Sequence, residues 1–584
     1  MTIRHDSRNP GHRSPAGAQP CKTEVRLFLE TDRSEAIVRF WMDGHAYLYQ
    51  MTPAEGGYEY RFVLPEKPGI VWYYFIVGEH YFGNARDNLG GEGEIYLHEP
   101  PSFQITVYDP AFRTPQWLGD GIMMQIMPDR FFRAGNSPCK GRLHEDWYEE
   151  PEMRLTISGD NEADDFYGGD LRGIAEKLPY IKSLGVSVLY LNPIFLAHSN
   201  HKYDTSDYLI IDPAFGTEDD FINLCAKAKE MGIRVILDGV FSHTGDDSVY
   251  FNKYRHFRSV GAYNSLMSKY ADWYSFHKWP DDYACWWGFK TLPNVNKNAR
   301  SFREFVIYAP DSVVAHWLRA GASGWRLDVA DELPMDFLAA LRERVKDLDP
   351  DAAILGEVWE DPSRKVAYGN LRSYCLGDTL DCAMNYPLRA AILDFITGKM
   401  TAGGCARVIE SLQENMPWAF FRSQMNLLSS HDKPRALTML ADVGNMEPER
   451  RYRYPIKLTD VQYARGKRRL VAAWKLVCAL PGMPAIYYGD EAGRSGMADP
   501  FCRATYPWGR EDAELVEAFR AAAKHRLSHR ALIDGDLVLE AISDDLLIVR
   551  RALDGEILTL AVNRGEEAAE YAGIRVPGES AEWI

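Results

Sequence analysis

Residues 321–332 read GASGWRLDVADE, and this stretch places a charged pair at the end of an apolar run. On a β-strand, positions i and i+2 point to the same face, so Arg326 and Asp328 would share one side of the strand. Charged side chains on an inward face cost free energy unless they are paired or used. The stretch by itself leaves two interpretations open, a buried structural ion pair or a catalytic one.

Segments of the same kind recur along the chain. From about residue 118, short and almost continuously apolar strands alternate with helix-length amphipathic segments, as expected for a parallel sheet covered on both faces. The eight strands are GIMMQIMPD (121–129), VSVLYLNP (186–193), RVILDGVF (234–241), SGWRLDVA (323–330), AAILGEVW (352–359), TLDCAMNY (379–386), QMNLLSSHD (424–432) and MPAIYYGDE (483–491). This alternation predicts a (β/α)₈ TIM barrel.

Different patterns flank the barrel, so the chain is expected to be multidomain. Residues 22–112 hold short runs rich in β-branched and aromatic residues, which predict an N-terminal β-sandwich of the carbohydrate-binding kind. The catalytic barrel is assigned to residues 113–511, with an inserted loop subdomain at 244–300. Residues 512–584 predict a barrel-closing helix and a small C-terminal all-β domain. Residues 1–21 are polar and contain Pro and Gly, which predicts a flexible leader.

Composition excludes some function classes. The 584 residues include 66 Lys and Arg against 83 Asp and Glu, and a net charge of −17 argues against a nucleic-acid partner. Residues 470–489 are apolar but contain Lys475, Pro481 and Pro484, which favours a buried helix, turn and strand over a membrane span. The nine Cys form no CxxC pair and the first twenty residues lack an apolar core, so a cytoplasmic location is expected.

Polar side chains end four of the predicted strands. They are Asp238 and His243, Arg326 and Asp328, Glu357, and His431 and Asp432. The carboxyl ends of barrel strands meet on one face, where the active sites of such enzymes lie. Maintaining so many charges at one rim for stability alone would be unfavourable, which favours a functional interpretation.

This set of residues suits one chemistry in particular. The sequence has no HExxH motif, no G-x-S-x-G elbow and no Gly-rich phosphate loop. Hydrolysis of a glycosidic bond requires two carboxyl groups in different protonation states. Arg326 is expected to keep Asp328 ionised, and the apolar neighbours Val358 and Trp359 are expected to raise the pKa of Glu357.

The ordered motifs resemble the α-amylase family of glycoside hydrolases, in its neopullulanase, cyclomaltodextrinase and maltogenic amylase branch. They are QIMPDRF, LNPIF with NHKYDT, DGVFSH, LPNVN, GWRLDVADE, GEVWED, SSHDKPR and PGMPAIYYGDE. The resemblance runs from about residue 22 to residue 584. It implies that Asp328 is the nucleophile, Glu357 the general acid/base, and Asp432 a third carboxylate that grips sugar hydroxyls.

The resemblance also implies a set of substrate-binding residues. Arg326 would orient Asp328, Asp238 would brace Arg326, His243 and His431 would hydrogen-bond the sugar before the cleaved bond, Tyr203 would stack under it, and Trp359 would shape the acceptor side. Two positions depart from the family pattern, because Ser242 stands in place of Asn and Lys433 in place of Thr. No cofactor is expected to be required.

A structural calcium ion is the one metal that the resemblance brings into question. The segment FYGGD resembles half of a calcium site, so Gly168 and Asp170 are candidate ligands. The other half offers Asn136 as its only obvious oxygen donor, whereas calcium takes six or more oxygens.

We therefore expect a retaining α-glucan hydrolase that cleaves α-1,4 and some α-1,6 bonds of maltodextrins, cyclodextrins or pullulan. A homodimer is expected, with no nucleic-acid or membrane partner. Two alternatives stay open: a related transglycosylase or isomerase, such as a glucanotransferase or trehalose-forming enzyme, and a non-catalytic barrel that serves as a partner protein.

Overall fold

The computed structural model describes residues 2–135, 138–154, 162–443 and 455–584, and its centre is a parallel barrel. The eight barrel strands, numbered here in chain order, are Met123–Ile126, Val188–Leu191, Arg234–Gly239, Gly324–Leu327, Ala353–Gly356, Cys382–Ala383, Met425–Leu427 and Met483–Tyr487. Consecutive strands are neighbours, and the eighth pairs with the first. A parallel bridge between Met384 and Met425 connects the sixth strand to the seventh, so the predicted barrel is confirmed.

The barrel interior changes from apolar to polar along several of the strands. Met123, Val188, Ile236 and Ala353 belong to one buried cluster inside the barrel. Because side chains alternate along a strand, the next inward positions fall two residues later. Those positions are Gln125 and Asp238, which are polar, and Tyr190 and Leu355, which belong to the same cluster. The polar ones lie toward the carboxyl ends of their strands, and the strand register sets Asp238 opposite Arg326.

Helices cover the outside of the barrel. The longer ones are Leu171–Ser183, Glu218–Glu230, Val313–Arg319, Met335–Leu348, Tyr386–Ile396, Ala402–Asn415, Asp460–Ala479 and Ala513–Ser528. Local chemistry fixes where several of them begin. Thr217 and Asp220 form a reciprocal capping box at one helix, and Thr459 and Gln462 form another.

Two sheets form the predicted N-terminal sandwich. The first contains Ile3–Arg4, Arg13–Ser14, Glu24–Thr31, Thr52–Ala54 and Gly57–Val63, and the second contains Gln19–Pro20, Ile37–Met42, His45–Gln50, Gly69–Val77, His80–Gly83, Glu94–Tyr96 and Phe103–Tyr108. Leu27, Phe40 and Tyr73 are among the fully buried side chains between them.

Residues 2–21 are not the flexible leader that their composition predicts. They contribute three short strands to the sandwich, and Arg13 is fully buried. Its Nη2 contacts Glu414 Oε1 at 2.7 Å, and Arg8 Nε contacts the other oxygen of Glu414 at 2.9 Å. The prediction was wrong because polar composition does not reveal that charged side chains have partners about 400 residues away in the chain.

The remaining predicted elements are present. Ala513–Ser528 is the helix after the barrel, and a four-stranded sheet follows it, with strands Asp536–Ala541, Leu546–Leu553, Glu556–Asn563 and Ser580–Trp583. The insertion at 244–300 contains one short hairpin, Phe276–Lys278 with Asp282–Tyr283. Across the described ranges, no helix is long and apolar enough to cross a membrane.

Candidate active site

Arg326 lies at the centre of the barrel rim and contacts three carboxylates. Its Nη1 donates to Asp238 Oδ1 at 2.8 Å and to Asp328 Oδ1 at 2.9 Å. Its Nη2 forms an ion pair with Glu357 Oε2 at 2.8 Å. The guanidinium is fully buried, so these contacts are poorly screened by water. The predicted neighbours Asp328 and Glu357 therefore lie side by side around one cation.

The backbone after the fourth strand holds Glu357 in place. Val329 N donates to Glu357 Oε2 at 2.8 Å, and the indole Nε1 of Trp359 donates to Oε1 at 3.0 Å. Val329 has φ 36° and ψ 73°, a left-handed conformation that is strained for a β-branched residue. Such strain persists only where the surrounding structure enforces it, which is common at functional sites.

Burial dominates the protonation of the two central carboxyl groups. It raises the pKa of Asp328 well above its usual range, although Arg326 opposes the shift. It also raises the pKa of Glu357, as predicted, again against Arg326. Arg326 lowers the pKa of Asp328 as predicted, but burial raises it by more, and the ionised state of Asp328 stays a prediction. Two adjacent carboxyl groups that are both buried retain a proton more readily than either would alone.

A hydrogen-bond chain links Asp238 to His431. The hydroxyls of Tyr190 and Tyr203 donate to Asp238 Oδ2 at 2.6 and 2.8 Å. The Tyr203 hydroxyl also lies 2.7 Å from His431 Nε2, and Gln125 Nε2 lies 2.7 Å from His431 Nδ1. Because an amide nitrogen donates, His431 accepts at Nδ1 and donates at Nε2. Burial lowers the pKa of His431 well below its ordinary value, which agrees with this neutral form.

His243 is also held neutral, but its ring nitrogens are both engaged. Ser242 Oγ lies 2.9 Å from Nδ1, and Nε2 lies 3.1 Å from the carbonyl oxygen of Tyr203. Burial lowers the pKa of His243 to about 4. The hydroxyl of Ser242 thus fills the position expected of an Asn, while direct contact of His243 with a sugar stays a prediction.

Asp432 lies at the open side of the cluster. Its side chain is 28% exposed, with Oδ2 3.0 Å from His431 Nε2 and Oδ1 3.3 Å from Arg503 Nη2. Arg503 Nε also donates to the backbone carbonyl of His431 at 2.9 Å. The third predicted carboxylate is therefore the most accessible to a ligand.

Exposed aromatic rings lie beside the cluster. Trp359 stacks on Tyr386, with 4.6 Å between ring centroids, and is 38% exposed. From the 244–300 insertion, Trp287 is 71% exposed, and its Nε1 donates to Glu332 Oε1 at 3.2 Å. Such faces suit stacking against sugar rings.

Sequence reasoning missed several residues of this site. They are Gln125, Tyr190, Tyr386 and Arg503, together with the backbone N–H of Val329. Strand alternation could have identified Gln125 and Tyr190, since both occupy inward positions at strand ends. Arg503 ends the short 3-10 helix Phe501–Arg503 after the eighth strand, and no local signal places it near Asp432.

The calcium candidates do not form a ligand set in the described residues. Asp170 caps a helix and accepts a hydrogen bond from Gly173 N at 2.6 Å, while Gly168 N donates to Asp129 Oδ1 at 3.0 Å. Asn136 lies outside the described residues. Within those residues, no group of three or more His, Cys, Asp or Glu side chains could hold a metal ion. Because Asn136 lies outside the described residues, the calcium site stays a prediction.

The chain is similar in sequence to known proteins over most of its length. Residues 125–531 match the family described as "Alpha amylase, catalytic domain". The chain is 37% identical to an amylopullulanase of Thermoanaerobacter thermohydrosulfuricus over 95% of its own length, but it spans only 41% of that relative. It is 33% identical to a cyclomaltodextrinase of Geobacillus thermopakistaniensis, covering 82% of this chain and 77% of the relative.

Solved structures agree with these relatives. A cyclic α-maltosyl-(1→6)-maltose hydrolase from Arthrobacter globiformis has a TM-score of 0.68 and 30% identity, covering 81% of this chain and 99% of that chain. The type III pullulan hydrolase from Thermococcus kodakarensis has a TM-score of 0.68 and 26% identity, covering 99% of both chains. The barrel, the cluster of carboxylates around Arg326 and these matches lead to one conclusion: the chain belongs to the α-amylase family of glycoside hydrolases.

Proposed function

We propose that this protein is a retaining α-glucan hydrolase that cleaves α-1,4 bonds, and some α-1,6 bonds, of maltodextrins, cyclodextrins or pullulan. One observation carries the proposal: Asp328 and Glu357 both contact the guanidinium of Arg326. Retaining glycosidases need two carboxyl groups at short separation, one as nucleophile and one as acid. The named activities of the relatives, which include cyclomaltodextrinase and amylopullulanase, support α-glucans as the substrate class.

The proposed reaction is a double displacement. Asp328 attacks the anomeric carbon while Glu357 gives its proton to the glycosidic oxygen, so the bond to the leaving sugar breaks as the bond to Asp328 forms. Glu357 then removes a proton from water, which displaces Asp328 and regenerates both groups. Arg326 lowers the pKa of Asp328 against the effect of burial, which supports the ionised form of Asp328 that attack on the sugar requires.

The remaining residues would bind the sugar. Asp432, the most exposed of the carboxylates, is assigned to sugar hydroxyls, with His431 and Tyr203 beside it. Asp238 fixes Arg326, and Trp359 faces the leaving sugar. The transglycosylase or isomerase alternative receives no support from the solved relatives, two of which are named as hydrolases.

Product stereochemistry and a substrate panel test this function. Proton NMR of fresh maltotriose digests should show the α-anomer first, because two inversions retain configuration. A panel of β-cyclodextrin, pullulan, soluble starch and maltotriose would rank the substrates. Initial release of the β-anomer, or no new reducing ends from any substrate, would contradict the proposal.

We further propose a homodimer located in the cytoplasm. All nine Cys are free, which is typical of proteins in a reducing compartment. The strand His45–Gln50 is exposed along its whole length and presents Tyr47, Leu48 and Tyr49, a surface suited to a partner. Light scattering that detects only monomer at micromolar concentration would refute the dimer, and fractionation of the source cells would test the location.

A further inference from the structure

Lys433 occupies an unusual position beside the candidate active site. It follows Asp432 directly, on the loop after the seventh barrel strand. Its ammonium lies over the ring of Trp359, 3.9 Å from the centroid, and 5.9 Å from the ring centroid of Tyr386. A cation over an indole face is attracted by the quadrupole of the ring. Lys433 therefore connects the loop after strand seven to the aromatic side of the loop after strand five.

Trp359 transmits this contact to the acid/base. Its indole Nε1 donates to Glu357 Oε1 at 3.0 Å, and its ring stacks on Tyr386 at an interplanar angle of 13°. Lys433 packs against the same ring that orients Glu357. Because the proposed function assigns Trp359 to the leaving sugar, the ammonium lies on the same side of Glu357 as that sugar.

The ammonium of Lys433 has N–H donors that no carboxylate engages in the described part of the chain. Among the residues that the structure describes, no carboxylate lies within ion-pair distance of Lys433. Two other shielded lysines are paired: Lys202 contacts Asp212 at 2.8 Å and Lys253 contacts Asp246 at 3.1 Å. Burial lowers the pKa of Lys433, as expected for a cation without a direct partner. A half-buried ammonium in this state has N–H donors available to a ligand.

We infer that Lys433 is a specificity-determining residue, whose ammonium donates hydrogen bonds to hydroxyls of the glucose unit on the leaving-group side of the cleaved bond. This inference rests on the proposed function. Sugar hydroxyls are neutral acceptors, and a hydrogen bond from a cation to them is stronger than one from a neutral donor. The same residue would receive an incoming sugar acceptor when transglycosylation replaces hydrolysis.

A purely structural role would produce different effects. In that case Lys433 would only brace Trp359, and its removal would lower kcat on both substrates, because Glu357 must also activate the water of the second step. Lys177 offers a matched control, because its ammonium lies 3.9 Å from the ring centroid of Phe132 and 4.1 Å from that of Trp508, outside the site. Lys177→Met removes an equivalent cation–π contact without touching the proposed acceptor side.

Two substrates with the same maltosyl unit separate the two roles. Maltotriose has a glucose leaving group, whereas fluoride from α-maltosyl fluoride occupies no sugar position and needs little acid assistance. Lys433→Met is expected to lower kcat/KM by about tenfold or more for maltotriose, but to lower kcat for α-maltosyl fluoride, which includes the Glu357-dependent second step, by less than about twofold. Lys433→Arg, which keeps the cation and the donors, should recover most of the maltotriose activity. Lys177→Met should leave both values unchanged.

Acceptor competition gives a second readout. With α-maltosyl fluoride as donor and added glucose as acceptor, Lys433→Met should lower the ratio of transfer product to maltose, because water does not need the lysine. Equal losses on both substrates, no loss on either, or an unchanged transfer ratio would overturn the inference. Wild-type protein that releases neither fluoride nor glucose would instead contradict the proposed function.

Discussion

Asp238 Oδ1 and Arg326 Nη1 lie 2.8 Å apart with both side chains fully buried, on neighbouring strands whose register sets them opposite each other. Arg326 in turn contacts Asp328 and Glu357, so Asp238 helps to determine where the cation between these acids is held. Removing one partner of a buried pair leaves the other charge uncompensated.

Asp238→Asn should therefore destabilise the protein and reduce activity together. We expect the free energy of unfolding to fall by about 3–5 kcal/mol, since a buried ion pair loses one charge. Melting temperature measured by calorimetry would report the loss. Asp246→Asn is the matched control, because it breaks an ion pair with the more exposed Lys253 and should cost much less. Equal melting temperatures for the two variants would contradict this account.

Substitution of the two central acids should separate their roles. Glu357→Gln is expected to lower kcat on maltotriose by about 10²–10⁴-fold, because the leaving sugar then lacks a proton donor. On α-maltosyl fluoride the same variant should release a burst of fluoride, since the first step needs little acid and the second is slow. Asp328→Asn should abolish turnover without a burst. A burst from Asp328→Asn would exclude it as the nucleophile, and circular dichroism would verify that both variants fold.

Glu491 should make stability fall as pH rises. Burial raises its pKa from 4.5 to about 8, and Gly489 N and the Tyr180 hydroxyl donate to its oxygens at 2.9 and 3.2 Å. Between these values the unfolded chain releases the proton while the folded chain keeps it, so folding weakens across that range.

Glu491→Gln mimics the protonated side chain and should raise the free energy of unfolding at pH 8 by about 2–4 kcal/mol, with little change near pH 4.5. Melting temperatures at the two pH values would measure the difference. Glu517→Gln, at an exposed position, serves as the control. Parallel pH curves for wild type and Glu491→Gln would show that Glu491 is ionised in the folded protein.

His243 should have the opposite effect, so that its contribution to stability is lost as pH falls. Its pKa falls from 6.5 to about 4 on burial, so the folded protein keeps it neutral while the unfolded chain gains a proton. Stability from this residue is complete above pH 6.5 and is lost as pH falls toward 4, by about 3 kcal/mol in all. His243→Asn should flatten the fall in melting temperature between pH 7 and pH 5, whereas His256→Asn, at an exposed position, should not. An unchanged slope for His243→Asn would refute the prediction.

The barrel was predictable because its apolar strands alternate with amphipathic helices along the sequence. The polar residues at the strand ends were predictable because each directly follows an apolar run. Continuous apolar runs identified all eight strands, and Asp328 and Glu357 follow them directly. The left-handed backbone of Val329 could not be predicted, since a β-branched residue disfavours that conformation and only tertiary contacts enforce it. The net pKa of Asp328 depends on its burial, which local spacing with Arg326 does not reveal.

The contacts of Glu414 with Arg8 and Arg13 limit how far the sandwich can be treated as a separate module. A variant that begins at Thr23 would remove both cations and leave the carboxylate of Glu414 buried in an interface with no counter-ion. Exchange of sandwiches between related proteins would have to carry residues 2–21 and the helix Ala402–Asn415 together. Recombination between related genes should therefore keep each sandwich together with the barrel that it contacts.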